Sequence, residues 1–210
     1  CILQNNIDCC YFILFISLFM SDNIIIMDFD EGIRKRKMVR RYKQNLPLSE
    51  KTITKLIRNA HTAPSAGHTQ VQEFIIVKEP VIKKKLRAAA VDQEYVEDAP
   101  LLIVVCSNTS RSVGRYGIRG TEFYSITDGA FASMLILLTA VNEGIGACFV
   151  GAFDDAKVSK ILDIPAQVRP IGIICVGYPD EEPPKIGRIA LSHLIYYDKY
   201  GNADGTVNGR

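Results

Sequence analysis

The chain has 210 residues, of which 48% are hydrophobic, and this suits one domain with a sizeable buried core. Its 25 basic and 23 acidic residues leave a net charge of only +2, and no long run of one sign indicates a nucleic-acid surface. Any anion that the protein binds must therefore be held by a local cluster of basic residues.

Residues 1–26 differ in character from the rest of the chain. The segment Tyr11–Met20 is apolar, but it is too short to cross a bilayer, which takes about 20 residues. A signal peptide is disfavoured because no Lys or Arg precedes Arg34. We therefore expect 1–26 to be an N-terminal extension that lies upstream of a natural start at Met27 or Met20, or is poorly ordered. A membrane or signal role is the less favoured alternative, and 27–210 is expected to form a single domain.

The six cysteines follow no metal-binding or disulfide pattern. No pair has the C-x-x-C spacing, and Cys106, Cys148 and Cys175 lie inside apolar runs. Such cysteines are typical of the buried, reduced core of a cytoplasmic protein. We therefore expect a cytoplasmic location, no bound metal and no disulfide.

Hydrophobic periodicity and capping residues define the elements in the first half of the domain. In chain order they predict a helix from Asp28 or Asp30, a helix from Ser49 to Pro64, a strand Glu73–Glu79, a helix from Pro80 to about Ala90, and a strand Leu101–Ser107. The last strand is apolar on both faces, so we expect it to lie in the middle of a covered sheet.

The second half of the domain begins with a segment that has the composition of a loop. In chain order the pattern predicts a polar loop 108–120, a helix through Ala130–Val141, a strand from Ala147, a helix capped by Asp154, and a strand Arg169–Pro179. The helix through Ala130–Val141 is apolar almost all round, so we expect a buried central helix, with a subunit interface as a second use of its surface. Because helices and strands mix without a strict β-α-β order, we favour a layered sheet wrapped by helices.

Several common signatures do not occur in the sequence. It contains no P-loop, no H-E-x-x-H and no G-x-S-x-G motif. Gly144-Ile145-Gly146 follows a helix and lacks the third glycine of a dinucleotide-binding turn. Nucleotide hydrolysis and zinc chemistry are therefore disfavoured.

Four short stretches could hold a ligand, although each also fits an ordinary structural role. Arg36 and Arg40 are four residues apart, so on a helix or its final turn both could meet one phosphate, or they could lie on a solvated face. In Ala63–Phe74, small residues and a glycine would let a ligand approach the main chain, and a plain connector is the alternative. The stretch 150–153 could expose backbone in the same way or form a tight turn, and Arg188 could bind an anion or be a surface residue.

Taken in order, these stretches resemble the motifs of the nitroreductase family of FMN-dependent oxidoreductases, from about Asp28 to Arg188. The matching stretches are Arg36-Lys37-Met38-Val39-Arg40, 63–72, Glu97-Asp98-Ala99-Pro100, Asp128-Gly129-Ala130, 144–148, Gly151-Ala152-Phe153, Gly177-Tyr178-Pro179 and Arg188. The sequence departs from the family's motifs at three places. Met38 replaces a serine, His68 an asparagine, and Val71-Gln72 a proline-tryptophan pair.

The resemblance implies an α+β fold with a central, mainly antiparallel sheet flanked by helices. It also implies an intertwined homodimer with FMN bound at the interface. In that arrangement Arg36, Lys37 and Arg188 would face the FMN phosphate. Arg40 would lie at the ribityl chain or the pyrimidine edge of the flavin, and Met38 would belong to the same motif.

The other site residues implied by the resemblance surround the flavin ring. They are Pro64, Ser65, Ala66, Gly67, His68, Gln70 and, as a weaker candidate, Gln93. The backbone N–H groups of Gly151 and Ala152 would lie near flavin N5. No side chain is implied as an obligatory acid or base.

The implied activity is that of an NAD(P)H-dependent oxidoreductase. Hydride would pass from NADH or NADPH through flavin N5 to a nitroaromatic, a quinone or a similar acceptor. The expected partners are a second copy of the chain and a small-molecule acceptor, with no nucleic acid and no membrane.

Two alternatives to this activity stay open. One is specialised chemistry of the same family, such as reductive dehalogenation or flavin breakdown, and the other is a non-enzymatic flavin-binding module. Relatives with specialised chemistry carry a substrate lid before the central helix. The corresponding segment here, 108–122, is short and contains Arg111, Arg115 and Arg119, which could favour an anionic substrate, although a solvated loop is the preferred interpretation.

Overall fold

The computed structural model describes residues 27–203. In chain order the elements are α1 (Phe29–Lys35), α2 (Glu50–His61), β1 (Gln72–Val77), α3 (Pro80–Ala89), α4 (Glu94–Asp98), β2 (Leu101–Asn108), α5 (Ser110–Arg119), α6 (Ser125–Asn142), β3 (Gly146–Val150), α7 (Asp155–Ile161) and β4 (Val168–Gly177). A π-helical turn, Gly120–Tyr124, joins α5 to α6, and 3-10 turns lie at Ala66–His68 and Leu191–His193. The expectations for 1–26 lie outside the described residues.

Three of the helices begin at capping residues that the sequence predicts. The side chains of Asp28, Ser49 and Asp154 each accept a hydrogen bond from the backbone N–H three residues further along the chain. These bonds satisfy one of the N–H groups that the first turn of a helix leaves without a partner. The starts of α1, α2 and α7 are therefore fixed locally.

The four strands form one antiparallel sheet in the order β1-β2-β4-β3. The two inner strands, β2 and β4, are the longest, and the first seven residues of β2 are all buried. An inner strand covered on both faces needs apolar side chains on both sides. The predicted central position of β2 and the predicted antiparallel sheet are therefore confirmed.

Helices cover both faces of this sheet. On one face, α2 and α6 enclose a cluster of buried residues that includes Leu101, Ile103 and Val105. On the opposite face, α3, α4 and α7 pack on Leu102 and Val104. Alternate residues of β2 thus enter different clusters, as the pleat of a strand requires.

The cysteines within the described residues belong to the core. Cys106, Cys148 and Cys175 are buried free thiols on the α3 side of the sheet. Burial, with a smaller contribution from the Glu73 carboxylate, raises the pKa of the Cys106 thiol to about 12. A thiol with such a pKa stays protonated and unreactive at neutral pH.

The predicted polar loop 108–120 is wrong, because Ser110–Arg119 forms α5. The Ser112 hydroxyl is buried and donates to backbone carbonyls at Thr109 or Gly120, which ties the two ends of the segment together. Two glycines and three arginines gave this segment the composition of a loop. Its helical structure depends on contacts with distant residues, which the local pattern does not contain.

The central helix α6 combines a buried side with an exposed apolar side. Ala132 and Ile136 are completely buried in the core, whereas the side chains of Phe131 and Met134 are 48% and 41% exposed. By length and composition the stretch Ser110–Asn142 could cross a membrane, but half of its most apolar window is buried inside the domain. A core helix of a globular fold has the same composition.

Candidate functional site

The basic motif after α1 forms an extended segment rather than the helix turn that the sequence suggested. α1 ends at Lys35, where the N–H of Arg36 caps it by donating to the Gly32 carbonyl at 3.0 Å. The segment then runs beside β3, and the Val39 N–H donates to the Ala147 carbonyl at 3.0 Å. In an extended chain alternate side chains share a side. Arg36 and Arg40 are four residues apart and therefore still lie on the same side.

Arg36 carries a donor that lacks a partner within the described chain. Its Nη1 atom is buried and makes no hydrogen bond to any of residues 27–203. A buried guanidinium N–H without an acceptor is costly, and guanidinium groups bind phosphate and carboxylate oxygens strongly. This atom therefore marks a position where an anionic group would be stabilised.

The residues next to Arg36 have different surroundings. Lys37 donates from Nζ to the Pro183 carbonyl at 2.6 Å, and it lines a groove together with Val39. Met38 packs against both core clusters, and its sulfur accepts from the Phe149 N–H at 3.5 Å. Within the described chain Lys37 therefore already has a hydrogen-bond partner, unlike the Arg36 Nη1 atom, and Met38 is a packing residue. The predicted contact of both Arg36 and Lys37 with the FMN phosphate stays a prediction.

The stretch 63–70 is a tight loop held by its own polar groups. The Ser65 hydroxyl accepts from the Gln70 N–H at 3.0 Å, and the His68 N–H donates to the Ser65 carbonyl at 3.0 Å. Gly67, His68 and Gln70 all have positive φ, at 54°, 59° and 48°. Backbone of this kind is uncommon outside glycine and is concentrated at functional sites.

The side chains at the tip of this loop lie close together at the surface. The His68 ring and the Gln70 amide share a hydrogen bond of 2.9 Å between His68 Nε2 and Gln70 Nε2. Pro64 and Gly67 are exposed, while Ser65 and Ala66 are half-buried. The loop therefore presents two polar side chains, whereas the N–H groups of Ala66, Thr69 and Gln70 are already bonded within the domain, as is that of His68.

Helix α5 packs directly over this loop. Arg111 Nη1 donates to the Gln70 carbonyl at 2.8 Å, and Arg115 Nη1 donates to the Gly67 carbonyl at 3.0 Å. A Cβ atom at Gly67 would overlap the Tyr116 hydroxyl. Two of the three arginines that suggested an anionic substrate therefore bind loop carbonyls instead. The third, Arg119, lies over the Phe123 ring at 4.7 Å from its centroid.

The turn after β3 exposes backbone donors. Gly151 and Ala152 are both exposed, and within residues 27–203 neither N–H donates a hydrogen bond. The Ala152 carbonyl accepts from Gln93 Nε2 at 3.2 Å. Gln93 therefore lies beside this turn and holds it through a backbone atom, and its predicted contact near the flavin ring stays a prediction.

Arg188 stands apart from the other predicted residues. It is exposed in the segment after β4, and it makes no hydrogen bond or salt bridge within the part of the chain that the structure describes. The predicted contact of Arg188 with the FMN phosphate therefore stays a prediction.

Two residues of this region were not among the predicted site residues. Asp128, in the first turns of α6, is only 2% exposed and accepts from the Ala66 N–H with both carboxylate oxygens at 3.1 Å. Its signal in the sequence is an acidic residue at the edge of an apolar helix. Tyr95 lies between Arg40 and Gln93, and no sequence motif marks it.

Burial of Asp128 predicts a pH-dependent contribution to stability. Desolvation raises the pKa of this carboxyl, and the Ala66 N–H opposes the shift. An acid with a raised folded-state pKa stabilises the fold below its unfolded pKa of about 3.9, and this contribution is lost as the pH rises through the folded-state pKa. Asp128→Asn keeps an acceptor for Ala66 and removes the charge, so its free energy of unfolding should rise relative to wild type from pH 4 towards neutral.

Urea unfolding across this pH range measures that difference. Asp128→Ala is the comparison, because it also removes the charge but leaves the Ala66 N–H without an acceptor, so it should be about 1–3 kcal/mol less stable than Asp128→Asn at every pH. A difference between Asp128→Asn and wild type that does not change with pH would contradict the assignment of a raised pKa.

The arrangement of sheet, basic segment and glycine-containing loops matches known proteins. Residues 33–108 and 88–178 match the sequence model of the nitroreductase family. A protein named NADH dehydrogenase from Thermus thermophilus is 26% identical over 205 residues, which cover 85% of this chain and 100% of that protein. The structure of NfrA1 from B. megaterium is 28% identical and superposes with a TM-score of 0.76, covering 81% of this chain and 74% of that chain.

A third similarity concerns the fold alone. The NADPH:FMN oxidoreductase of Vibrio harveyi, solved in complex with NAD⁺, is 22% identical with a TM-score of 0.75, covering 81% of this chain and 77% of that chain. The domain is thus an α+β oxidoreductase fold. The chain belongs to the nitroreductase family, so the predicted family, the α+β fold and the class of NAD(P)H-dependent oxidoreductase are confirmed. The predicted cofactors, FMN with NADH or NADPH as reductant, agree with this class.

Proposed function

We propose that the protein is an FMN-dependent enzyme that takes hydride from NADH or NADPH and reduces a nitroaromatic, a quinone or a similar acceptor. The observation that carries the proposal is the buried Nη1 atom of Arg36, which has no acceptor in the described chain. FMN contains a phosphate group, and a phosphate oxygen is the acceptor that such a donor suits best. The names of the relatives, an NADH dehydrogenase and an NADPH:FMN oxidoreductase, support the same activity.

The remaining residues fit FMN in separate ways. Arg40 is positively charged at neutral pH, as arginines are, and its Tyr95 neighbour raises the pKa of the guanidinium further. The loop 63–70 offers the polar side chains of His68 and Gln70, and the exposed N–H groups of Gly151 and Ala152 can donate to a ring nitrogen. When bound, FMN supplies the hydride-accepting ring. The residues of the chain bind and orient it, and none is needed as an obligatory acid or base.

A homodimer is part of the proposal. Phe131 and Met134 on α6 are exposed, and so are Ile186, Ile189 and Leu191 in the segment after β4. Apolar surface of this extent is typical of an interface between subunits. A dimer would also bring the exposed Arg188 of one subunit towards a site of the other. Light scattering should give twice the mass of one chain, and the mass of a monomer would contradict the dimer.

Reduction of the bound flavin is the direct test of the proposed function. The purified protein, reconstituted with FMN if necessary, should be yellow. Anaerobic NADH or NADPH should bleach it, and a quinone or nitroaromatic should restore the colour. The location in the cytoplasm and the choice of acceptor stay predictions. A protein that remains colourless after incubation with FMN would overturn the proposed function.

The second candidate is specialised chemistry such as reductive dehalogenation or flavin breakdown. Relatives of that kind carry a lid before the central helix, and here that segment contains α5, which covers the loop 63–70. Arg111 and Arg115 are engaged with backbone carbonyls, which leaves less free positive charge for an anionic substrate than the sequence suggested. Simple acceptors are therefore favoured. Turnover of halogenated phenols that exceeds turnover of simple quinones would reverse this preference.

A further inference from the structure

Tyr95 connects two parts of the site that are far apart in the chain. The Arg40 guanidinium carbon lies 5.7 Å from the centroid of the Tyr95 ring. The Tyr95 hydroxyl donates to Gln93 Oε1, and Gln93 Nε2 donates to the carbonyls of Ala152 at 3.2 Å and Ala90 at 2.8 Å. A continuous chain of polar contacts therefore runs from the basic segment to the turn after β3.

The direction of these hydrogen bonds is fixed by chemistry. Two carbonyl oxygens, of Ala152 and Ala90, face one end of the Gln93 amide, so that end must be the NH₂ group. The other end is then the Gln93 oxygen, which needs a donor, and the Tyr95 hydroxyl is that donor. Arg40 contacts the same tyrosine through its ring, with the guanidinium carbon 5.7 Å from the ring centroid. The Gln93 amide and the Tyr95 hydroxyl thus fix each other's orientation.

The backbone before Gln93 is strained, and this strain places its side chain. Val91 and Asp92 have φ values of 54° and 56°. Such values are rare for a β-branched residue and cost of order 1–3 kcal/mol for each residue. The surrounding contacts must over-determine this conformation. The Asp92 N–H donates to the Arg87 carbonyl at 3.1 Å, and the Asp92 carboxylate pairs with the Arg87 guanidinium at 2.8 Å.

We propose that Tyr95 is a positioning residue of this site. Its hydroxyl orients the Gln93 amide, and Gln93 holds the Ala152 carbonyl so that the N–H groups of Gly151 and Ala152 stay directed outwards. The inference rests on the proposed function, because it is at flavin N5 that these N–H groups would act. Tyr95 itself need not touch the cofactor or the substrate.

Four variants of the FMN-bound enzyme test this positioning role. Tyr95→Phe removes the hydroxyl, Gln93→Met removes the amide at nearly constant length, and the double variant combines both changes. Tyr178→Phe is the matched control, because its side chain packs against the α6 cluster and its hydroxyl makes no hydrogen bond within residues 27–203. The anaerobic rate of flavin reduction, the KM for the nicotinamide, the visible circular dichroism of the flavin and the FMN content are measured for each.

Each single variant should lower the rate of flavin reduction about 10-fold, the scale expected when a group at the reacting atoms is misplaced. The KM and FMN content should change less than about twofold, because the contacts with Arg36 are untouched. The double variant should be no slower than the slower single variant, because both act through one chain of contacts. The circular dichroism of the flavin should change in all three variants and not in Tyr178→Phe.

Two results would overturn the proposal. One is a reduction rate in Tyr95→Phe equal to that of Tyr178→Phe. The other is a double variant whose loss is the product of the two single losses, since that would mean independent roles. Failure of the proposed function would appear differently, as a wild-type protein that binds no FMN or is not reduced by either nicotinamide.

Discussion

Replacing Arg36 by alanine is expected to lower the affinity for FMN about 10- to 150-fold, since hydrogen bonds to charged groups contribute about 1.5–3 kcal/mol. The buried Nη1 atom has no acceptor in the described chain, so the guanidinium gains its partner only when an anion binds. Removing it should therefore leave the FMN-free protein as stable as wild type or more stable, while the FMN-bound protein unfolds at a lower temperature. Fluorescence titration with FMN and thermal unfolding with and without FMN measure the two effects.

Arg34→Ala is the matched control for this variant. Arg34 lies in the last turn of α1, is exposed, and makes no hydrogen bond or salt bridge within residues 27–203. It should change FMN affinity less than about twofold, as surface charges usually contribute little. Arg36→Lys should be intermediate, because it keeps the charge but not the planar set of donors. An Arg36→Ala protein that binds FMN as tightly as Arg34→Ala would remove the main support for the proposed phosphate site.

The sequence predicted that Arg36 and Arg40 lie on one face of a helix or its final turn, whereas the structure has an extended segment here. Residues four apart are neighbours on a helix, but on an extended chain they share a side and lie roughly 13 Å apart, since each residue adds about 3.3 Å. A shared contact of both arginines with one phosphate therefore no longer follows from their spacing and stays a prediction. In the extended segment Lys37 faces the groove with Val39, and only the structure distinguishes this arrangement from a helical turn.

The order of the strands and of most helices followed from the sequence, whereas α4 and α5 did not. Strands such as Leu101–Asn108 carry their own signal in uninterrupted apolar residues. In α5 the residues Gly114 and Gly117 weaken helix propensity, and Gly117 has a φ of 54° inside the segment. Arg111 and Arg115 hold this helix against the loop 63–70. A contact of this kind is tertiary and leaves no periodic pattern.

In the candidate site, too, some features have a signal in the sequence and others have none. Its motifs drew attention to the loop 63–70 and to the turn at Gly151, because glycine and small residues are visible in the sequence. The positive φ of His68 and Gln70 is not visible there. Asp128 and Tyr95 act through partners 62 and 2 residues away, at Ala66 and Gln93. Even the short separation of Tyr95 and Gln93 gives no motif, since the hydrogen bond depends on the left-handed backbone that precedes it.

Gly146→Ala is expected to destabilise the domain by about 1–3 kcal/mol, as overpacking of a core does. A Cβ atom at this position would lie 2.7, 2.8 and 3.0 Å from Cγ1, Cβ and Cγ2 of Val39. A β-branched side chain has few alternative rotamers, so Val39 cannot turn aside and its backbone must move. Val39 belongs to the extended segment that carries Arg36 and Arg40. The variant should therefore also bind FMN less tightly, and urea unfolding and FMN titration measure both losses.

Gly114→Ala separates this effect from the general effect of replacing a glycine. Nothing lies within 4 Å of a Cβ atom at Gly114, which is in α5, so alanine there should stabilise the protein by up to about 1 kcal/mol.

Combining Gly146→Ala with Val39→Ala removes two of the three overlapping atoms. If the two residues set the position of the basic segment, the double variant should lose less stability than the sum of the single losses and should recover part of the FMN affinity. Additive losses, with FMN affinity unchanged in Gly146→Ala, would mean that the contact between β3 and the basic segment does not position Arg36.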